Sequence, residues 1–498
     1  MSSNSLTVAA STLRRRCIQL YADKAKKGLL LLSETRRIVR CKSSAFASPL
    51  SDSVRDAVKE SLLEEATKAD STFWSSSFSN SVNGVNGYHH HHHHDSAQQQ
   101  QHQHQQQQLN HHQSSIHEAT TYGLEEDPLE EWYWDRKTKY WPNLPPSVTD
   151  SDPFALSQQE LDTLDQSIRQ DLIGTDHPVL SMAASYFFQP HIDGGKKVRP
   201  RMVLLMSHAL QAHYQQQQQQ QTDDDNNVVT IVQRPDLSQA QRRLAEISEL
   251  IHTASLFHDD VIDESETRRG SPAVHQVFGN KVAILAGDYL LARASIGLAR
   301  LRQVNVVECM STIIEHLVRG EVMQMNQTSI QAGPQARLEY YLRKNYFKTG
   351  SLMANSCQSA ALLGNYPPEW VQCAYRYGKH LGLAFQLVDD VLDYEGNLQT
   401  MGKPALNDLK AGLATAPVLF AAQQHPHQLD PLLERKFKHD GDVETALHHV
   451  LSSKGIEKTT ELARVHAELA MEAVLELQPS VYRDALVQLA YKVVDRTR

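Results

Sequence analysis

Two clusters of three aspartates stand far apart in the chain, and each one closes an apolar helical pattern. In the first cluster, Asp259 and Asp263 are four residues apart, so a helix places both carboxylates on one face, one turn apart. Like charges at this spacing repel, and the C-terminal end of a helix favours cations over carboxylates. A divalent metal ion would offset both effects. The clusters comprise Asp259, Asp260 and Asp263 and, 130 residues later, Asp389, Asp390 and Asp393.

Mg²⁺ fits such carboxylates because it prefers six oxygen ligands, keeps waters and substrate phosphates in its shell, and needs only one or two protein carboxylates. Two facing acidic helix ends could therefore hold a diphosphate through bridging metal ions. Such a site also needs protein cations, since Arg and Lys bind phosphate oxygens directly. The sequence supplies Lys196, Lys197 and Arg199 in a Gly-Gly turn that opens a helix, Arg268 and Arg269 after the first cluster, and Lys348, Lys403 and Lys410.

Apolar residues recur at spacings of three and four through roughly the last 350 residues, which predicts helices joined by short loops. We predict that Ser157 caps the first core helix in a capping box with Glu160. Strand alternation is almost absent, with one β-like run at 228–232. This pattern indicates an all-α bundle whose central cavity holds the active site. The main predicted helices cover 199–212, 239–263, 282–300, 306–326, 352–363, 370–394, 415–424 and 456–477.

The first part of the chain has a different composition. Residues 1–48 carry ten basic and two acidic residues, and an Arg-rich, acid-poor segment of this kind is typical of a mitochondrial transit peptide. A disordered basic tail is the alternative. Residues 49–130 are rich in Ser, Asn, His and Gln and predict a disordered low-complexity segment. The helical domain is assigned to 131–498, with a polyglutamine insert at 214–227 whose three aspartates, Asp223 to Asp225, we interpret as a solvated loop.

Charge and cysteine content limit the kinds of partner and the cellular compartment that we expect. The leader carries a formal charge of +8 and the whole chain −9, so the remainder is strongly acidic at −17, which argues against nucleic acid as a partner. The five cysteines show neither a CxxC pair nor metal-ligand spacing, which favours a reducing compartment. Since no run of eighteen apolar residues occurs, we expect a protein that is soluble or at most peripheral to a membrane.

These motifs together resemble the trans-prenyl diphosphate synthases, and specifically the long-chain polyprenyl diphosphate synthases that make the ubiquinone side chain in mitochondria. The resemblance extends from about residue 153 to the C-terminus and implies the all-α isoprenoid synthase fold. The segments that carry it are GGKKVRP, LIHTASLFHDDVIDESETRRG, GDYLL, KTGSL, FQLVDDVLDYEG and the stretch from Gly402-Lys403-Pro404 to Thr415.

The resemblance implies a role for each matching residue. All six aspartates and Lys348 are expected to be catalytic, and two or three Mg²⁺ ions are expected on Asp259, Asp263 and Asp389. Isopentenyl diphosphate would be bound by Lys196, Arg199, His252 and Arg269. The allylic diphosphate would be bound by Arg268, Lys348, Thr349, Gln386 and Lys403. Helical spacing independently places Gln386 one turn before Asp389 and Asp390, on the metal face.

The length of the polyprenyl product is expected to depend on the residues one turn before the first aspartate cluster. Ala254 and Ser255 are small where short-chain members of the family carry a bulky aromatic residue, so the resemblance predicts a long product, hexaprenyl to decaprenyl. It also implies a homodimer or a heteromer with a non-catalytic subunit, in the mitochondrial matrix, with peripheral contact to the inner membrane possible. Arg496 and Arg498 could help to close the cavity, although a frayed tail is the default.

Four other interpretations account for part of the sequence. A terpene cyclase would share the fold and the first aspartate cluster but would not need the GGKxxRP turn for a second diphosphate. A non-catalytic partner subunit would lack some aspartates, whereas all six are present. A geranylgeranyl diphosphate synthase would make a shorter product by the same chemistry. A structural helical protein whose glutamine tracts mediate association would leave the acidic and basic motifs unexplained.

Overall fold

The computed structural model describes residues 136, 138, 148, 151–169, 178–188, 196–225, 235–268, 270–325, 333–395 and 406–496, with side chains for all of these except 221–225 and 235–238. They all belong to Ala97–Arg498, the second of two units into which the chain divides. The predicted leader, the low-complexity segment and the β-like run at 228–232 lie outside the described residues and stay predictions.

The described residues form helices almost throughout. A two-residue antiparallel pair, β1 (Thr267–Arg268) and β2 (Ser271–Pro272), follows the first aspartate cluster. The helices are α1 (Pro153–Ser167), α2 (Pro178–Ala184), α3 (Val198–Asp225), α4 (Pro235–Ile262), α5 (Val274–Phe278), α6 (Asn280–Leu301), α7 (Val304–Met325), α8 (Pro334–Asn345), α9 (Ser351–Leu363), α10 (Pro368–Glu395), α11 (Asn407–Lys410), α12 (Ala416–Gln424), α13 (Pro426–Glu434), α14 (Asp442–Leu451), α15 (Gly455–Leu475) and α16 (Val481–Val494).

Helix α9 lies at the centre, and every one of its residues is buried. It packs against α4 on one side and α10 on another, the two helices that end in aspartates. Close contact with α10 depends on glycine, since a Cβ atom at Gly382 would lie 2.7 Å from Cα of Gly350, directly before α9. Outside this centre, α6 packs on α4, and both α15 and α16 pack on α10. The acidic ends of α4 and α10 are thus tied to one central helix.

The polyglutamine insert does not form the loop that we predicted. Helix α3 begins at Val198 and continues through the glutamines as far as Asp225, so Asp223 to Asp225 are helical. Glutamine has a good intrinsic helix propensity, and a helix already packed on α4 can extend through a glutamine run at little cost. The prediction of a solvated loop, which was based on the polarity of this segment, is therefore wrong.

The predicted cap of the first core helix is also wrong. Helix α1 begins one turn earlier, where the side chain of Asp152 accepts hydrogen bonds from the backbone N–H groups of Phe154 and Ala155. Pro153 occupies the first helical position, which proline tolerates because that N–H would have no helical partner. Ser157 lies inside the helix, where its hydroxyl donates to the carbonyl oxygen of Pro153 at 2.7 Å.

Within the described residues, one helix has the length and apolar composition of a membrane span, namely α6. This is weak evidence, because the core helix of a soluble protein passes the same test. Helix α6 packs on α4 along one side and leaves Leu285 59% exposed on another.

Candidate active site

The first acidic helix end holds its three carboxylates in different environments. Asp260 is fully buried, and Oδ1 accepts hydrogen bonds from Nε of Arg268 at 2.9 Å and from Nη2 at 2.5 Å. The strand pair β1–β2 turns the chain back so that Arg268 reaches the helix it follows. Asp259 is partly buried, and Asp263 is exposed. Two carboxylates therefore stay accessible while the third is anchored by a cation.

Both accessible carboxylates of the first cluster have a raised pKa. Burial raises the pKa of Asp259 to about 6, with repulsion from Glu321 and Asp263 adding to the shift and Lys348 opposing it. The pKa of Asp263 is also raised, again chiefly by burial and against the effect of Lys348. A raised carboxylate pKa means that the charged form lacks sufficient stabilisation from the protein alone. A bound cation would supply that stabilisation.

The second acidic helix end repeats this division. Asp389 has a side chain that is 45% exposed, and Oδ1 accepts a hydrogen bond from Nη2 of Arg496 at 2.6 Å. Burial raises the pKa of Asp389 to about 6, although Arg496 lowers it. Its neighbour Asp390 is 1% exposed and hydrogen-bonded on both oxygens. Asp393 accepts from the backbone N–H groups of Asn407 and Asp408, which fixes the start of α11 against α10.

Lys348 and Thr349 lie on a π-helical turn, Tyr346–Gly350, between α8 and α9. Such turns inside helices often occur at functional sites. The turn fits closely against Gly320 of α7, where a Cβ atom would lie 2.7 Å from Cγ of Lys348. Lys348 pairs with Glu321 at 2.6 Å, while the hydroxyl of Thr349 donates to Oε1 of Gln386 at 3.2 Å. The turn thus links α7 to the face of α10 that carries Gln386.

Two of the predicted isopentenyl diphosphate residues meet where α3 packs on α4. Arg199, at the start of α3, has Nη1 at 3.1 Å from Nε2 of His252 on α4. The same guanidinium lowers the pKa of Asp389 on α10. Arg199 therefore contacts the first aspartate helix and acts electrostatically on the second. Lys196 is exposed and lines a cavity of about 300 Å³ with Phe154, Val198, Phe385, Leu489, Lys492, Val493, Asp495 and Arg496.

The remaining predicted residues either lie on α4 or fall outside the described residues. Ala254 is fully buried on α4, and the hydroxyl of Ser255 donates to the carbonyl oxygen of His252 at 2.8 Å. Phe257, on the same helix, packs edge-on against Phe187 with ring centroids 5.4 Å apart. Arg269, Lys403 and Arg498, together with the glycines of the GGK turn, lie outside the described residues, so their predicted roles stay predictions.

Four residues near the two clusters, two of them buried and two partly buried, were missed by sequence reasoning. Tyr341 and Lys344 on α8 are 3% and 6% exposed and approach Asp390, and burial lowers the pKa of Lys344. Asp408, next to Asp393, has its pKa raised to about 7 by burial and by the neighbouring carboxylates. Glu321 pairs with Lys348. These contacts join residues far apart in sequence, so helical periodicity carries no signal for them.

The carboxylates fit a metal ion that also takes ligands from a substrate. Among the described residues, no group of three or more His, Cys, Asp or Glu side chains is close enough to hold a metal ion by itself. Asp259, Asp263 and Asp389 offer only oxygen ligands, spread over two helices. Mg²⁺ suits this arrangement, because it completes its shell with waters and phosphate oxygens.

Comparison with known proteins agrees with this geometry. Residues 177–450 match the polyprenyl synthetase family. The chain is 46% identical over 373 residues to a probable mitochondrial hexaprenyl pyrophosphate synthase of Neurospora crassa, covering 70% of this chain and 82% of that protein. It is 42% identical over 433 residues to a protein of the same description from Yarrowia lipolytica, covering 78% and 94%. A solved polyprenyl synthase from Caulobacter crescentus, complexed with calcium and isoprenyl diphosphate, is 27% identical with a TM-score of 0.59, covering 72% of this chain and all of that one.

Proposed function

Because the chain belongs to the polyprenyl synthetase family and is a long-chain trans-polyprenyl diphosphate synthase, we propose that it adds isopentenyl diphosphate units head to tail to farnesyl or geranylgeranyl diphosphate. The product is an all-trans hexaprenyl to decaprenyl diphosphate for ubiquinone. The observation that carries this proposal is the position of Arg199, which contacts His252 on one aspartate helix and lowers the pKa of Asp389 on the other.

The residues divide into two diphosphate sites. Lys196, Arg199, His252 and Arg269 bind isopentenyl diphosphate. Lys348, Thr349, Gln386 and Lys403 bind the allylic diphosphate together with Arg268, whose bonds to Asp260 use Nε and Nη2 and leave Nη1 for substrate. Asp259, Asp263 and Asp389 hold two or three Mg²⁺ ions. The support for this division is that Lys348 acts on the first cluster while Thr349 contacts Gln386 beside the second.

The chemistry follows from these positions. Asp259, Asp263 and Asp389 would hold Mg²⁺, which would supply positive charge to stabilise the departing pyrophosphate. Lys348 and Arg268 add fixed positive charge at the same place, so the allylic C–O bond ionises and the alkene of isopentenyl diphosphate attacks the cation. The released pyrophosphate then takes the proton, which leaves an allylic product one unit longer. The surrounding helices must exclude water, since water would quench the cation.

Exposed apolar side chains on two neighbouring helices support a homodimer. Helices α6 and α7 contact each other, and both expose apolar side chains. Single exposed apolar residues are ordinary, but a set on adjacent helices marks an interaction surface. On α7, Val318, Val322 and Met325 recur at spacings of four and three, the repeat that lets a helix pack against a copy of itself. The exposed set is Ile284, Leu285, Ile296, Val304, Val318, Val322 and Met325, here named the α6–α7 face.

The location follows from relatives and composition. Both curated relatives are named mitochondrial, and residues 1–48 have the composition of a transit peptide. We place the enzyme in the mitochondrial matrix, with the inner membrane receiving its product. A heteromer with a non-catalytic subunit is the alternative assembly.

The function is tested by supplying labelled isopentenyl diphosphate and Mg²⁺ to the purified full-length protein with farnesyl, geranylgeranyl or no allylic diphosphate. We expect incorporation only when an allylic diphosphate is present. Incorporation that does not depend on the allylic substrate, or none with either substrate, would contradict the proposal.

A further inference from the structure

We propose that Tyr341 is a positioning residue for the second aspartate cluster, holding Asp390 so that the neighbouring Asp389 faces the metal and the allylic diphosphate. This inference rests on the proposed function, because it assumes that Asp389 is a metal ligand. It assigns to Asp390 the role of an anchor rather than that of a ligand.

The contacts of Asp390 are those of a fixed group. Its oxygens accept from the hydroxyl of Tyr341 at 2.5 Å, from Nε2 of Gln386 at 3.0 Å and from the backbone N–H of Ala416 at 3.3 Å. These donors come from α8, from α10 itself and from the start of α12. A buried carboxylate that accepts from three separate elements has little freedom to turn toward a ligand.

The buried position of Tyr341 suits it to hold Asp390 in place. The side chain is 3% exposed, so the packed ring fixes the direction of the hydroxyl, and the ammonium group of Lys344 lies 5.4 Å from the ring centroid. Hydrogen bonds to an ionised acceptor are short and strong, and the surrounding low dielectric strengthens them. Among the donors to Asp390, Tyr341 is the side chain that the two predicted diphosphate sites do not use.

The first cluster shows the same arrangement with a different anchor. Asp260 is fully buried and takes two hydrogen bonds from Arg268, while Asp259 beside it keeps an accessible carboxylate. In each pair, the second aspartate is buried and anchored, while the first keeps an accessible carboxylate, which at Asp389 also pairs with Arg496. Anchoring one carboxylate to neighbouring elements fixes the rotation of the helix end. It therefore also limits the directions in which the adjacent carboxylate can point. Arg268 and Tyr341 thus have matching structural roles at the two helix ends.

The test is Tyr341→Phe, which removes one oxygen and keeps the ring. The matched control is Tyr340→Phe, since the hydroxyl of Tyr340 donates to the carbonyl oxygen of Met323 at 2.7 Å and does not contact the cluster. Prenyl transfer is measured against Mg²⁺ concentration, and Mn²⁺ binding in the presence of inorganic pyrophosphate is measured by electron paramagnetic resonance. Far-UV circular dichroism confirms the fold.

We expect Tyr341→Phe to raise the half-saturating Mg²⁺ and Mn²⁺ concentrations by about tenfold, the effect of losing one charge-assisted hydrogen bond. Excess Mg²⁺ should restore much of its turnover. Tyr340→Phe should leave both midpoints unchanged. A purely structural role would instead lower the active fraction with the metal midpoint unchanged, and that result overturns the inference, as would an equal shift in the control.

A second variant keeps the inference testable if Tyr341→Phe does not fold. Asp390→Ala alone should then raise the metal midpoints in the same direction. Where Tyr341→Phe does fold, adding it to Asp390→Ala should cause no further shift, because the tyrosine acts through Asp390. Unchanged midpoints in Asp390→Ala, or additive shifts in the double variant, overturn the inference. If the wild-type protein transfers no prenyl group, the proposed function fails, and the Mn²⁺ titration still decides the role of Tyr341.

Discussion

Arg496 donates a hydrogen bond from Nη2 to Oδ1 of Asp389 at 2.6 Å, while its guanidinium carbon lies 3.8 Å from the ring centroid of Phe385. The residue also donates to the backbone carbonyl oxygen of Phe385 at 2.8 Å. The C-terminal segment is therefore attached to α10 at this point, rather than frayed as the default expectation had it. Because Arg496 occupies one of the two oxygens of Asp389 and carries positive charge beside it, Arg496 and a metal ion would compete for this carboxylate.

This competition predicts tighter metal binding when Arg496 is removed. Arg496→Gln should lower the Mn²⁺ dissociation constant of the substrate-free protein about three- to fivefold, a modest effect because the ion pair is partly exposed. Isothermal titration calorimetry measures it. Lys492→Gln is the matched control, because Lys492 lines the same cavity but pairs with Asp152. Weaker metal binding in Arg496→Gln would refute the competition.

Ala254→Phe should shorten the product. Ala254 is fully buried one turn before Asp259, so a phenylalanine there would add bulk next to the first aspartate cluster at a cost of roughly 1–3 kcal/mol in stability. Chromatography of labelled products should show a shift below hexaprenyl. Ala254→Val gives a graded control with a smaller shift. The steric role of Ala254 is wrong if the variants and the wild type share one length distribution.

The α6–α7 face predicts a dimer that charge can disrupt. The double substitution Val318→Glu and Val322→Glu places two carboxylates on exposed positions of α7, so it should leave the monomer fold intact. Analytical ultracentrifugation should show a dimer for the wild type and a monomer for the variant. Val481→Glu, on the exposed side of α16, is the control and should stay dimeric. A wild-type monomer, or a variant that stays dimeric, contradicts the assignment.

The histidine pair between α10 and α15 predicts a loss of stability in acid. Nδ1 of His380 lies 3.0 Å from Nδ1 of His466, and both rings are buried. Burial lowers the pKa of His466 to about 3 and that of His380 well below its ordinary value. The unfolded chain binds protons near pH 6.5 and the folded pair does not, so their stabilising contribution falls as pH drops below that value, by about 1.4 kcal/mol per histidine and pH unit.

The test compares urea unfolding of the wild type and His466→Gln at pH 7.5 and 5.5. A variant is needed because the raised pKa values of Asp259, Asp389 and Asp408 act in the opposite direction, stabilising the fold as pH falls. The variant should lose stability less steeply than the wild type below pH 6.5. Parallel pH dependence of the two proteins would show that His466 is not the titrating group.

Local sequence patterns predicted the elements that carry the chemistry. The spacing of apolar residues placed both acidic clusters at the ends of helices and put Gln386 on the same face as Asp390, to which it donates. The all-α fold and the long-chain prenyltransferase function that the resemblance implied are confirmed. The helix ends and the face that carries Gln386 depend on residues within one or two helical turns, where periodicity is informative.

Contacts across the bundle could not be predicted in this way. Tyr341 reaches Asp390 across 49 residues and Arg496 reaches Asp389 across 107, and neither pair has a shared local pattern. Similarly, the course of α3 through its glutamine run reflects tertiary packing as well as propensity. The division of each aspartate pair into an anchor and an available carboxylate became visible only through these long-range contacts.

The joint action of the two acidic helix ends in long-chain elongation is tested most directly by product chromatography. Full-length wild type and Asp389→Asn are each given farnesyl diphosphate, labelled isopentenyl diphosphate and Mg²⁺. The wild type should form hexaprenyl to decaprenyl diphosphate, and the folded variant should lose turnover about 100-fold at low Mg²⁺. A wild type that makes no product longer than its allylic substrate, or a variant that retains full turnover at low Mg²⁺, would contradict it.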